Sequence, residues 1–157
     1  KPTFNSKSIA VSQEGILTWQ TTDEHGVLPF YIQQYKWNKW VDVGEVKGTG
    51  KATLNTYTYQ VDFVYGENKF RVVQKIDQQR FRKTKAVLIV SDRPKLNFVY
   101  NKKNKRVIFS NTTAYEIHDK FGQLVMRGYN SQADVTHLTK DDYYISFDNV
   151  TEVLAKR

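Results

Sequence analysis

Residues 115–128 read Tyr115-Glu-Ile-His-Asp-Lys-Phe-Gly-Gln-Leu-Val-Met-Arg-Gly128. The stretch predicts a strand, a tight turn at Phe121-Gly122 and a second strand ending at Gly128. Gly122 can take a positive φ there without steric cost. Asp119 can accept backbone N–H bonds across the turn. Nothing in the stretch carries chemistry, so its place in the fold decides its meaning.

The pattern around it repeats. Upstream, strand-like segments fall at 8–11, 15–21, 30–37, 40–43, 56–64, 69–76 and 81–90. Downstream they fall at 96–100, 106–110, 114–119, 123–127, 133–136, 143–147 and 152–155. Leu17 and Trp19 share one side of the second segment, which points Trp19 into a core. No helical period separates the segments. The expected fold class is therefore all-β, as two consecutive immunoglobulin-like β-sandwiches. Ser91-Asp-Arg-Pro94 has turn chemistry, and Pro94 biases Arg93 to extended geometry. It sets the expected domains at 1–91 and 92–157. Residues 1–7 read as a leader or linker, and Lys47-Gly-Thr-Gly50 as a hairpin loop.

Composition narrows the function classes. With 157 residues, 39% hydrophobic and 14% aromatic, the chain can close two small aromatic cores. No cysteine is present. Disulfides, thiolate zinc sites and cysteine nucleophiles are thereby excluded. The net charge is +8, spread evenly at +4 on each half. Such an excess favours solubility and weak attraction to anionic surfaces, with no pointer to nucleic acid. No apolar run is long enough for a membrane helix. The start at Lys1 fits a piece of a longer secreted polypeptide with its signal peptide upstream.

Candidate chemistry is sparse. His25, His118 and His137 are scattered and suit no metal spacing. The pairs Asp23-Glu24 and Asp141-Asp142 lie in turn-like stretches, where solvated carboxylates are the expectation rather than a glycosidase pair. Lys47-Gly-Thr-Gly50 lacks the ending of a phosphate loop. No catalytic, cofactor-binding or metal-binding residue is expected, and no enzyme.

Tyr35, Trp37 and Trp40 carry more weight. Tyr35 and Trp37 would share a strand face, and Trp40 would return across a turn at Asn38-Lys39. The expectation is that at least one ring lies in the core. Exposed, the three would form a platform for stacking a glycan or packing on a protein partner. Arg80, Arg82, Lys83 and Lys85, and separately Lys102, Lys103 and Lys105, form basic clusters read as solvated surface. Contact with lipopolysaccharide is the functional alternative.

Leu17-Thr-Trp19, Phe30-Tyr-Ile32, Trp40-Val-Asp-Val-Gly44, Tyr57-Thr-Tyr59 with Asp62, and Asn68-Lys-Phe-Arg-Val72 with Asp77 together resemble fibronectin type III-like modules of secreted Bacteroidetes proteins. Phe70 stands where those modules usually have a tyrosine. In the second half, Val107-Ile-Phe109, Tyr115 to Gly122, Leu124-Val125, Ala133-Asp-Val-Thr-His-Leu138, Asp142-Tyr-Tyr-Ile145 and Lys156-Arg157 resemble the C-terminal sorting domain of type IX secretion. On that resemblance Asp119, Gly122, Asp134, Leu138, Tyr144 (or Tyr143) and Lys156 match the sorting motif. Two positions depart from it: Tyr100-Asn-Lys-Lys103 lacks prolines, and Asp142 replaces a glycine. The resemblance implies a non-catalytic spacer and sorting signal. Its partners would be the outer-membrane type IX machinery and an upstream cargo domain. The destination would be the medium or the outer-membrane surface, reached through the periplasm, with proteolytic removal of the signal near residues 91–95.

Overall fold

The structure, a computed structural model, describes residues 2–157. The described residues are all-β: strands in antiparallel sheets, and no helix. The chain divides into two compact units, Lys1–Asp92 and Arg93–Arg157.

Unit 1 is a sandwich of two sheets. One holds β1 (Asn5–Val11), β2 (Ile16–Thr22) and β5 (Asn55–Gln60), in the order β1-β2-β5. The other holds β4 (Lys39–Lys47), β3 (Pro29–Lys36), β6 (Gly66–Lys75) and β7 (Phe81–Lys83), with β8 (Val87–Ser91) also on β6. Alternation turns Leu17 and Trp19 inward from the first sheet, and Phe30, Ile32, Phe70 and Val72 from the second. The Phe30 ring stands 5.2 Å from Phe4, 5.9 Å from Trp19 and 4.9 Å from Tyr57, closing an aromatic core between the layers.

Several expectations need correction. Residues 1–7 are not simply a leader: Phe4 is fully buried and β1 starts at Asn5. The 81–90 segment is two strands, split where buried Thr84 accepts the Val72 N–H at its hydroxyl and bonds Lys85 O. The loop after β4 is not a hairpin. It carries the chain from one sheet to the other, because β4 pairs with β3 while β5 pairs with β2. The turn after β3 is Trp37-Asn38, not Asn38-Lys39. Both of its residues have positive φ, 57° and 62°, as a two-residue hairpin turn of the primed type requires.

Glu24 was expected in a solvated turn, yet it is only 4% exposed. Its Oε2 accepts the Tyr57 hydroxyl at 2.6 Å and the Thr21 hydroxyl at 2.5 Å. Its Oε1 accepts the Gly50 N–H at 3.0 Å. The three donors come from β2, β5 and the crossover loop, so one carboxylate pins that loop to the first sheet. Burial and the bond to Glu24 both push the Tyr57 hydroxyl above its ordinary pKa.

Unit 2 closes its core differently. A single sheet has the order β11 (Leu124–Asp134), β10 (Arg106–His118), β12 (Asp141–Phe147) and β13 (Val150–Lys156), with β9 (Phe98–Asn101) also on β10. The segments expected at 106–110 and 114–119 are one 13-residue strand. Likewise 124–127 and the first half of 133–136 merge into β11. Between the pairs Ile108↔Gln132 and Thr113↔Asn130, four residues of β10 stand against one of β11. The surplus is a bulge that bends the sheet. Its first half then pairs with β9 and its second half with β12. The fold-over brings Phe109 to 5.3 Å from Tyr115 and 5.6 Å from Phe147. Gly128 therefore ends no strand. It sits inside β11 opposite Tyr115, whose ring takes the space of a side chain: a Cβ there would lie 2.7 Å from the Tyr115 hydroxyl.

Glu24→Ala leaves three donors without their acceptor. The expected loss in urea denaturation of the chain is about 3 kcal/mol, and for Tyr57→Phe about 1–2 kcal/mol. A loss well under 1 kcal/mol for Glu24→Ala would show that the carboxylate does not hold the crossover.

Candidate functional site

The hairpin tip of unit 2 carries the first two motif residues. Asp119 Oδ1 accepts the N–H groups of Phe121 and Gln123, each at 2.9 Å. The Gly122 N–H bonds Asp119 O at 3.0 Å, and the Asp119 N–H bonds Gln123 O at 2.9 Å. Gly122 has φ +84° with nothing near its open side, so its requirement is conformational rather than spatial. Phe121 is left 78% exposed at the tip.

Asp134 ends β11 with the same chemistry. Its Oδ1 accepts the Thr136 N–H at 3.0 Å and the Thr136 hydroxyl at 2.6 Å. The hydroxyl bond, then the amide bond, hold its carboxyl below the ordinary pKa, with smaller help from the charges of Arg106 and His137. This turn delivers Leu138, buried, with its N–H on Val135 O. Lys156, on the last strand, is 4% exposed and donates its ammonium to Leu138 O. Two motif residues distant in sequence are thus tied directly. Tyr144 is exposed on β12, whereas Tyr143 is buried with its hydroxyl on Thr139 O at 2.8 Å. Asp142, where the resemblance calls for glycine, is exposed and paired with Arg157 at 2.6 Å. Asp119, Leu138, Asp142, Phe121 and His137 border one open recess of about 300 Å³. Gly122, Asp134, Tyr144 and Lys156 are not on its rim.

The expected aromatic platform in unit 1 is only partly assembled. Trp37 sits in the turn, so Tyr35 and Trp37 do not share a strand face. None of the three rings is in the core: Tyr35 is 40% exposed, and Trp37 and Trp40 are half-buried. Tyr35 and Trp40 are cross-strand partners with ring centroids 5.2 Å apart. The neighbour that matters most has no local signal in the sequence. Arg71, from β6, lies with its guanidinium 4.2 Å from the Trp40 ring. The two residues are 31 positions apart, and only the strand order β4-β3-β6 brings them together.

The basic cluster at 80–85 is divided. Arg80 bonds Asp77 at 2.8 Å, Arg82 Nε donates to Phe4 O at 3.1 Å, and Lys83 lies beside Phe81. His118 lies 3.9 Å from Glu116, and His25 N–H bonds Thr3 O. Among the described residues no group of three potential ligands could hold a metal ion. No protein-family model matches this chain, and no curated protein matches it.

The lowered pKa of Asp134 fixes the sign of an acid effect. Its ionised form is favoured in the folded state, so its contribution to stability is complete above the ordinary value of 3.8 and is lost as pH falls through the lower folded value. Carboxyl carbon NMR is expected to give Asp134 a midpoint below 3.8, moved upward by Thr136→Ala. A midpoint unaffected by that substitution would contradict the assignment of cause.

Proposed function

We propose that this chain is a non-catalytic C-terminal region of a secreted or cell-surface protein. In this reading unit 1 is a fibronectin type III-like spacer and unit 2 a folded sorting signal for the type IX machinery of the outer membrane. One observation supports this most. The motif positions of unit 2 serve its shape: Asp119 and Asp134 cap turns, Gly122 supplies a left-handed residue, and Lys156 ties the last strand to Leu138. Such a unit offers a receptor a fixed surface, including the exposed Phe121 tip and the open recess beside it. In this reading Asp142 stands at the glycine position of the motif, and its exposed side chain is taken up by Arg157.

The test is a secreted reporter fused ahead of residues 1–157 in a type IX-competent Bacteroidetes host. Surface or medium delivery is expected for the full fusion, and periplasmic retention when the chain is cut after Asp92. Retention of the full fusion, or equal delivery of both, would overturn the proposal.

A further inference from the structure

The outward face of the five-stranded sheet in unit 1 is lined by aromatic rings and cations in contact. Trp40 pairs with Tyr35, Gln33 with Asp42 and Arg71, and Tyr31 with Glu45 and Val73, which in turn pairs with Lys83. Alternation sends these side chains to the side opposite the aromatic core, where Val73 and Gln33 are buried and the others are partly or fully exposed. Arg71 lies 4.2 Å from the Trp40 ring and 5.3 Å from the Phe81 ring. Lys69 stands 5.2 Å from Tyr35, Lys75 4.2 Å from Tyr31, and Lys83 5.8 Å from Phe81. Each cation has a ring beside it, which limits its freedom and removes part of its water.

Arg71 is the most ordered of them. Its Nε donates to Gln33 Oε1 at 2.8 Å. Gln33 Nε2 donates to Asp42 Oδ1 at 2.9 Å, and Asp42 Oδ2 takes Lys75 at 2.8 Å. The carboxylate in the middle of the face is therefore already matched by Lys75. Arg71, Lys69 and Lys83 make no ion pair among the described residues. With Nε engaged and the guanidinium flanked by two rings, the Nη edge is what remains for a ligand. That edge is a fixed fork that matches a carboxylate with two parallel bonds.

We propose that this face binds an acidic polysaccharide, a chain of uronate sugars, with one sugar carboxylate on Arg71 and further charge met by Lys69 and Lys83. The face also carries Asp42 and Glu45, with the Gln33 amide between the strands that bear Asp42 and Arg71. The two exposed carboxylates accept bonds from sugar hydroxyls, and the buried Gln33 amide holds Asp42 and Arg71 in place. A uronan brings hydroxyls on every sugar to meet these acceptors and a nucleic acid offers few, which separates the two; the charge of Asp42 is matched by Lys75 and opposes either polymer little. A neutral glycan leaves the Arg71 fork unmatched. The half-exposed Tyr35 ring gives the sugar an apolar edge to pack on.

The experiment is isothermal titration of the full chain with oligogalacturonate, cellohexaose and oligothymidylate. Oligogalacturonate is expected to bind, more weakly as salt rises, and better than the other two. Arg71→Gln is expected to weaken it by about tenfold or more, the scale of a charged hydrogen-bonded pair. The Lys69→Ala/Lys83→Ala double variant, whose side chains leave the core untouched, is expected to weaken it several-fold and serves if Arg71→Gln does not fold. Lys103→Ala, in the β9–β10 turn, is expected to bind as the parent does. No binding of oligogalacturonate, equal or tighter binding of oligothymidylate or cellohexaose, or unchanged binding by folded variants of the face would overturn the proposal.

Discussion

Without helices, every apolar sheet face in these two units must be covered by a second sheet or by a fold of its own. This constraint organises both of them. Unit 1 meets it with two sheets and must send its chain from one to the other after β4. The crossing backbone has groups that no ladder can satisfy, and buried Glu24 takes one of them, the Gly50 N–H, while holding Tyr57 and Thr21. Unit 2 meets the same constraint with one sheet. The bulge in β10 bends it until Phe109 faces Tyr115 and Phe147 across the core.

The same constraint explains where residues of functional interest lie. Inward positions are taken by packing, so chemistry is left to turns, strand ends and outward faces. In unit 2 the turns are closed by aspartates that accept backbone N–H bonds, and these are the residues of the sorting-like motif. In unit 1 the outward face keeps its rings partly covered by laying cations over them. One arrangement favours a fixed shape, the other a fixed pattern of charge.

The all-β class was legible because alternation at Leu17 and Trp19, and the turn chemistry of Asp119 and Gly122, are local signals. Strand continuity was less so. Ser110-Asn-Thr112 looks like a break because polar residues there are exposed on a bulge, and Gly128 looks like an end because its partner ring is 13 residues away in sequence. The turn at Trp37-Asn38 was misplaced by one residue since tryptophan is an unusual choice for positive φ. Glu24 and Arg71 were hidden for a common reason. Their partners, Tyr57 and Gly50 for one, Trp40 and Phe81 for the other, are adjacent only through sheet order.

Unit 2 holds its shape through its motif residues, most directly through the buried Lys156 ammonium on Leu138 O. Amide hydrogen exchange of Lys156→Met against the parent chain tests it. Faster exchange is expected along β13 and at Leu138 and Thr139, with the β10–β11 hairpin unchanged. Unaltered protection of β13 would contradict it.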